Sequence, residues 1–358
     1  MGMRKSWWKI LGAVLLTYTF IAGLLVPLKP GIYDVSPGKA ETGTSVTLNL
    51  EGYNTVYTAE GEKTRVWLKM TDELAIQAKR VKAIDETHLT ATFDIPKYIP
   101  LEKERISCSV LIDHSVDGAS VSPDAFVIKQ TSSGPPPGNS FTNNPITGLT
   151  INADFNYPFR SILYETIRNT YYHVPLWLAM MILFIASVYQ SFKYLRFGRP
   201  EDDWKAMSLT AVGTLYGMLG LFTGMIWAKH TWGTYWTWEE VKLNMTAIAL
   251  LIYLAYFILR GSLDDEEKKG RISAVYNIFA FAALIPLIYV IPRMTSSLHP
   301  GNGGNPALGA GDLDHTMKAV FYPAVIGWTL LGVWIGSLLY RAIAMKDRLM
   351  EEKFNSGE

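Results

Sequence analysis

The chain has 358 residues, 49% of them hydrophobic and only 18% charged, with a formal net charge of +1. That balance is too apolar for an ordinary soluble domain and places the sequence among membrane proteins. The near-zero charge averages a basic side against a more acidic one and gives no reason to expect nucleic acid.

Six uncharged stretches approach or exceed the roughly 20 residues an apolar helix needs to cross a bilayer core. They cover residues 10–28, 174–192, 206–228, 243–259, 272–292 and 319–340, and each is predicted as a transmembrane helix. The first, within residues 1–29, follows a basic start and so invites comparison with a cleaved signal peptide. Its run exceeds the roughly 7–15 residues usual for such a peptide, and Leu25-Val26-Pro27-Leu28-Lys29 is a poor cleavage site.

Residues 30–130 change character. Runs such as Ser45-Val46-Thr47-Leu48-Asn49-Leu50 and Arg65-Val66-Trp67-Leu68-Lys69-Met70 alternate with period two and are broken by Gly, Pro and Asp, which predicts antiparallel strands. About a hundred such residues suit a small β-sandwich inserted between the first two helices. Its opening, Val35-Ser36-Pro37-Gly38-Lys39-Ala40-Glu41-Thr42-Gly43, resembles the first turn of Ig-like domains of the TIG type. Cys108 is the chain's one cysteine, expected as a small packed strand residue. Without C-x-x-C or C-x-x-C-H, neither thiol redox work nor a covalently attached haem is encoded. His88 and His114 lack metal-ligand spacing and are expected at the surface or in turns.

Residues 131–172 begin with a Pro-stiffened linker, Thr131-Ser132-Ser133-Gly134-Pro135-Pro136-Pro137-Gly138. From Tyr157 to Tyr172 the positions of Ile162, Leu163, Ile167 and Tyr171 predict an interfacial amphipathic helix. Five helices follow in residues 173–345, then a tail, 346–358. Basic residues set the orientation, since short Lys- and Arg-rich flanks stay cytoplasmic. Arg4, Lys5 and Lys9 precede the first helix; Lys193, Arg196, Arg199 and Lys205 join the second to the third. Arg260, Lys268, Lys269 and Arg271 join the fourth to the fifth, and Arg341, Lys346, Arg348 and Lys353 follow the sixth. Both termini are thus predicted inside, and the sandwich and the stretch after the third helix outside.

That stretch, Trp232-Gly233-Thr234-Tyr235-Trp236-Thr237-Trp238-Glu239-Glu240, crowds four aromatic rings and two carboxylates between two apolar segments. Such a density suits an apolar shelf for a flat ligand. His173, His230, His299 and His315 all fall at predicted outer helix ends or loops, and no helix interior holds a histidine, which argues against a buried bis-histidine electron carrier. Haem would suit the shelf, with His173 and His299 reaching its iron from two sides; an outer histidine is otherwise an ordinary interface residue. Trp7, Trp8, Trp204, Trp328 and Trp334 read as anchors or lipid-facing packing.

The run Trp227-Ala228-Lys229-His230-Thr231-Trp232-Gly233-Thr234-Tyr235-Trp236-Thr237-Trp238 resembles the tryptophan-rich "WWD" signature of the haem-handling cytochrome c assembly proteins, among them CcmC, CcmF and CcsA. Tyr171-Tyr172-His173-Val174-Pro175 and Ser297-Leu298-His299-Pro300-Gly301 are similar to two histidine motifs of CcmC. The resemblance covers the six helices but not the insert. It implies a haem-delivery protein of the bacterial inner membrane, not an enzyme, that holds haem b non-covalently on the outer face. His173 and His299 would be axial ligands, and Trp232, Gly233, Tyr235, Trp236, Trp238, Glu239 and Glu240 the shelf.

Implied partners are a haem chaperone resembling CcmE and ABC transporter subunits resembling CcmA and CcmB; no Walker motif is present, so ATP use would be theirs. One of Glu239 and Glu240 stands where the family has Asp, with helix capping as the expected role. Lys229, Lys242 and Arg293 either pair with haem propionates or simply end helices. Competing readings are a haem-attachment synthase component resembling CcsA or CcmF, and a non-haem receptor or scaffold using the sandwich as its binding module.

Overall fold

The structure is a computed structural model and describes residues 6–59, 63–131, 134, 141–160, 163–295, 297, 299 and 313–356. Six helices in it are long and apolar enough to cross a membrane: α1 Trp7–Leu25, α2 His173–Phe197, α3 Pro200–Trp232, α4 Val241–Gly261, α5 Glu266–Ile285 and α6 His315–Ser356. Their ends follow local chemistry. Gly198, at φ 66°, closes α2, and Pro200 with Glu201, Asp202 and Asp203 opens α3, where a missing N–H and negative charge are both favourable. Gly233, at φ 79°, ends α3 in the left-handed region that a side chain resists. The last helix continues unbroken through the expected tail to Ser356.

Helix α5 gives way at Pro286 to a π-turn, Pro286–Val290, and a 3-10 turn, Ile291–Arg293. Proline removes a backbone donor, and the looser turns accommodate the loss. Glycines let α2 and α3 approach closely: a methyl group at Gly213, Gly217 or Gly220 of α3 would lie 2.6–2.9 Å from Phe184, Met180 or Trp177 of α2. Below this seam, Asn277 Nδ2 donates to Ser187 Oγ at 2.8 Å and Ser191 Oγ at 2.9 Å, so the buried amide of α5 is satisfied by α2. Trp328, expected as an anchor or lipid-facing, instead stands edge-on to Tyr216 at 5.8 Å, while its carbonyl accepts from the Tyr216 hydroxyl at 3.0 Å. That hydroxyl needs a partner inside the bundle, and α6 supplies it.

The chain divides into two compact units, residues 27–165 and residues 1–26 with 166–358. Among the described residues the first holds nine strands: β1 Gly31–Ser36, β2 Lys39–Glu41, β3 Ser45–Tyr53, β4 Thr64–Lys69, β5 Ala75–Gln77, β6 Arg80–Ala83, β7 His88–Asp94, β8 Arg105–His114 and β9 Gly118–Lys129. They form sheets of order β1-β3-β7-β6 and β2-β9-β8-β4-β5, antiparallel except where β2 meets β9. Leu48, Leu50, Leu89 and Phe93 of the first sheet share one apolar core with Val66, Leu68, Val110 and Phe126 of the second. The period-two alternation thus places every second side chain between the sheets.

The unit reaches past the alternating runs because residues 143–157 pack back on it. Asn144 N–H donates to Ala75 O at 3.0 Å and Ala75 N–H to Asn143 Oδ1 at 3.0 Å, covering the β5 edge. Of the linker, only Thr131 and Gly134 lie among the described residues. The amphipathic helix expected over 157–172 is shorter, a 3-10 helix at Tyr164–Tyr171 that buries Ile167 and Tyr171; Ile162 lies outside the described residues. Pro158 explains part of this, since the residue before proline is driven from helical geometry. Tyr157 pairs instead with the start of the unit, its N–H donating to Pro27 O at 2.9 Å.

His114, expected at the surface or in a turn, is fully buried. Asp117 Oδ2 lies 3.0 Å from its Nδ1, and the Tyr57 ring meets it edge-on at 5.8 Å, so a carboxylate and an aromatic wall replace water. His88 is half-exposed beside Asp85. Cys108 is buried in the core, and burial pushes its thiol up to about 12.

Candidate functional site

In the helical unit, His173 opens α2, and its Nδ1 lies 3.1 Å from Thr223 Oγ1 on α3. The ring sits directly over Gly224, where a methyl group would come within 2.9 Å of its Cε1. The seam therefore ends in a histidine: the glycine that admits Trp177 is followed one turn on by the glycine that admits His173.

His299 is held from the start of α4. Glu240 is the N-cap, accepting from Lys242 N at 3.1 Å, and its Oε1 also accepts from Ser297 Oγ at 2.6 Å. Ser297 Oγ in turn accepts from His299 N at 3.1 Å, and Lys242 Nζ lies 3.1 Å from His299 Nδ1. The bond from Lys242 N makes Glu240 the glutamate that caps the helix, and it is buried, whereas Glu239 is exposed. Leu298, Pro300 and Gly301 of the expected turn lie outside the described residues.

The two imidazoles face one cleft, ring centres 6.3 Å apart and planes inclined by 38°. Trp177, Trp227 and Trp232 form aromatic walls, Leu178, Leu221, Leu243 and Ile288 an apolar floor, and Lys242 and Arg293 bring positive charge. The Trp227 ring is 5.8 Å from His299 and edge-on to Trp232 at 5.3 Å. The space inside, open mouth included, is about 1160 Å³, on the scale of small-molecule and cofactor sites. Among the described residues no three His, Cys, Asp or Glu side chains gather as a metal site. What the cleft offers a metal is an imidazole pair.

Trp232 lines the cleft, but Gly233, Tyr235, Trp236, Trp238, Glu239 and Glu240 are not in its lining. The left-handed Gly233 turns the chain, after which Trp236 and Trp238 pair edge-on at 5.6 Å, with Trp238 78% exposed and Tyr235 54% exposed. Lys229 donates to Gly233 O at 2.9 Å, closing α3, and stands outside the lining, as do the exposed His230 and His315. Sequence reasoning did not single out Trp177, Thr223 or Gly224. The signal for Trp177 is its i,i+4 relation to His173; for the other two only the pairing of α2 with α3 reveals it.

A family model described as Heme exporter protein C, CcmC, matches residues 151–355, more than half of the chain. The chain belongs to the heme exporter protein C family. It is 28% identical over 196 residues to the heme exporter protein C of Bradyrhizobium diazoefficiens, covering 53% of this chain and 70% of that protein. To the Escherichia coli K12 protein of the same name it is 22% identical over 208 residues, 57% of this chain and 81% of that one. A putative cytochrome c biosynthesis ccmC-like mitochondrial protein of Marchantia polymorpha is 26% identical over 135 residues, 38% of this chain and 56% of its own length. The family match takes in α2 to α6 with the whole cleft and starts after the nine strands. The expected coverage of six helices thus narrows to five, since α1 lies outside it.

Proposed function

We propose that this protein is a haem-binding membrane subunit of cytochrome c maturation, which holds haem b between His173 and His299 and presents it to a haem chaperone resembling CcmE. The carrying observation is the imidazole pair 6.3 Å apart in a tryptophan-walled cleft. With roughly 2 Å for each metal–imidazole bond and about 1 Å from each ligating nitrogen to its ring centre, one metal atom sets two imidazole centres about 6 Å apart. The aromatic walls suit a planar macrocycle, and Lys242 and Arg293 suit its carboxylates, because ammonium and guanidinium groups form charge-assisted bonds with them. The names of the relatives, heme exporter protein C, agree with this reading.

Binding by two histidines saturates the iron and discourages oxygen chemistry, which suits delivery rather than turnover. In this reading the cleft and the strand unit, an Ig-like sandwich of TIG type, face outward, both termini face the cytoplasm, and subunits resembling CcmA and CcmB supply ATP-driven release. The exposed Tyr235 and Trp238 serve the chaperone-facing side.

Protein purified in mild detergent after haem-replete expression is expected to carry about one haem per chain with a low-spin spectrum. His173→Ala combined with His299→Ala abolishes that spectrum. Haem-free wild-type protein from the same cells would falsify the proposal. Covalent haem transfer to a C-x-x-C-H apocytochrome by this protein alone, without a chaperone, would instead favour an attachment synthase.

A further inference from the structure

The two histidines hold different hydrogen-bond partners, and donor and acceptor accounting makes them chemically unequal. A threonine hydroxyl has one hydrogen and two lone pairs. Thr223 Oγ1 lies 3.0 Å from Leu219 O and 2.9 Å from Gly220 O, one turn back in its own helix. Carbonyl oxygens only accept, so the hydroxyl hydrogen is used there. Towards His173 Nδ1, at 3.1 Å, Thr223 then presents a lone pair, and Nδ1 carries the hydrogen. A neutral imidazole protonated on Nδ1 keeps its other lone pair on Nε2, the arrangement in which metal-binding histidines are fixed by a second partner.

His299 has the opposite arrangement. Its Nδ1 lies 3.1 Å from Lys242 Nζ, and an ammonium group only donates. Nδ1 therefore accepts, and the hydrogen of the neutral ring sits on Nε2. That nitrogen has no lone pair for a metal until the hydrogen is lost from Nε2 and one is taken up on Nδ1. The exchange is neutral overall, and Lys242 keeps its charge, but the lysine must first withdraw. Its alternative partner is a carboxylate on the ligand, in the cleft that Lys242 shares with Arg293.

We infer that His173 and His299 engage haem iron in a fixed order, His173 first and His299 second, with Lys242 as a latch that a ligand carboxylate releases. The inference rests on the haem reading above and adds a selection rule to it. An iron porphyrin without carboxylates is caught by His173 and not closed by His299.

Rapid mixing of haem-free, full-length protein in detergent with ferrous haem b under anaerobic conditions tests the order through the absorption spectrum. Wild type is expected to pass through a high-spin, one-histidine species before the low-spin one. Lys242→Met accelerates the second phase by roughly tenfold or more, the scale of one charged hydrogen bond. His299→Ala stops after the first phase, and His173→Ala lacks it. Thr223→Val slows the first phase and Thr223→Ser restores it, which a merely structural role for Thr223 would not do. Iron porphyrin dimethyl ester halts at the first phase in wild type and completes both in Lys242→Met.

Equal second-phase rates in wild type and Lys242→Met, or the same trace from the two histidine variants, overturn the order while leaving the haem reading intact. No low-spin species from wild type at any time overturns the haem reading itself. Nitrogen-15 spectra of the haem-free protein give a separate readout: hydrogen on Nδ1 of His173 and on Nε2 of His299 is expected, and the reverse pattern overturns the inference.

Discussion

Gly224 carries a constraint out of proportion to its size. An added Cβ would stand 2.9 Å from His173 Cε1 and 3.5 Å from Nδ1, closer than a rigid ring held by Thr223 tolerates. The strain of such an insertion is on the order of 1–3 kcal/mol, and a tenfold change in affinity needs about 1.4 kcal/mol. Gly224→Ala is therefore expected to weaken haem binding by roughly tenfold or more while the helices remain folded, as read by spectral titration beside circular dichroism. Unchanged affinity would show that the His173 ring position does not limit binding. On the other side of the cleft Glu240 is equally economical. One carboxylate caps α4 and fixes Ser297, whose hydroxyl takes the His299 backbone hydrogen. His173 stands at the end of an apolar run and His299 in a predicted outer loop, and it is the resemblance of their motifs to those of CcmC that singles them out in the sequence. Gly224 and Thr223 were not legible there, because their meaning lies in His173, 50 residues before Thr223 in sequence, and appears only once α2 and α3 are paired.

The α2–α3 pair gives the element-scale logic. Gly213, Gly217, Gly220 and Gly224 recur at intervals of four, three and four along α3, and Phe184, Met180, Trp177 and His173 recur at the same intervals in reverse along α2. Small residues on one face admit large ones from the antiparallel neighbour, so close backbone approach replaces the hydrophobic drive that lipid does not supply. A branched residue at the far end of the seam tests whether it acts as one unit. Gly213→Val, with its Cβ 2.6 Å from Phe184, is expected to lower the melting temperature and to loosen haem, although residue 213 lies three turns from His173. Loss of stability with unchanged haem affinity would mean that the seam packs the helices without aiming the histidine. The helices themselves were plain in the sequence, since uninterrupted apolar runs can mean little else. Of the four rings of the aromatic stretch only Trp232 lines the cleft, and beyond the left-handed Gly233 Trp236 and Trp238 pair with each other, a division that sequence proximity does not reveal. His114 was similarly hidden, because its burial depends on Tyr57 from a distant loop.

At the scale of the molecule, the cleft and the strands belong to different compact units. Every residue lining the cleft lies in the helical unit, and every residue of the two-sheet core lies within residues 27–165. The family match begins after the strands and takes in every residue lining the cleft. Two outcomes are expected on separating the units. Residues 27–165 alone should melt cooperatively, since they carry a core of their own and a length typical of single domains. Cys108 is the reporter: a buried thiol with its pKa pushed up to about 12 supplies little thiolate, the reactive form, so maleimide should label it only as the unit unfolds. Phe126→Ala should bring that labelling to lower denaturant, because emptying a fully buried aromatic site costs about 3–5 kcal/mol. The complementary chain, with residue 26 joined to residue 166 through a flexible linker, should keep the low-spin haem spectrum. If that chain folds as helices yet binds no haem, the strand unit supplies part of the site. If it binds haem but no longer supports cytochrome c maturation in cells, the strands serve the transfer step, as a surface for the partner that receives the haem.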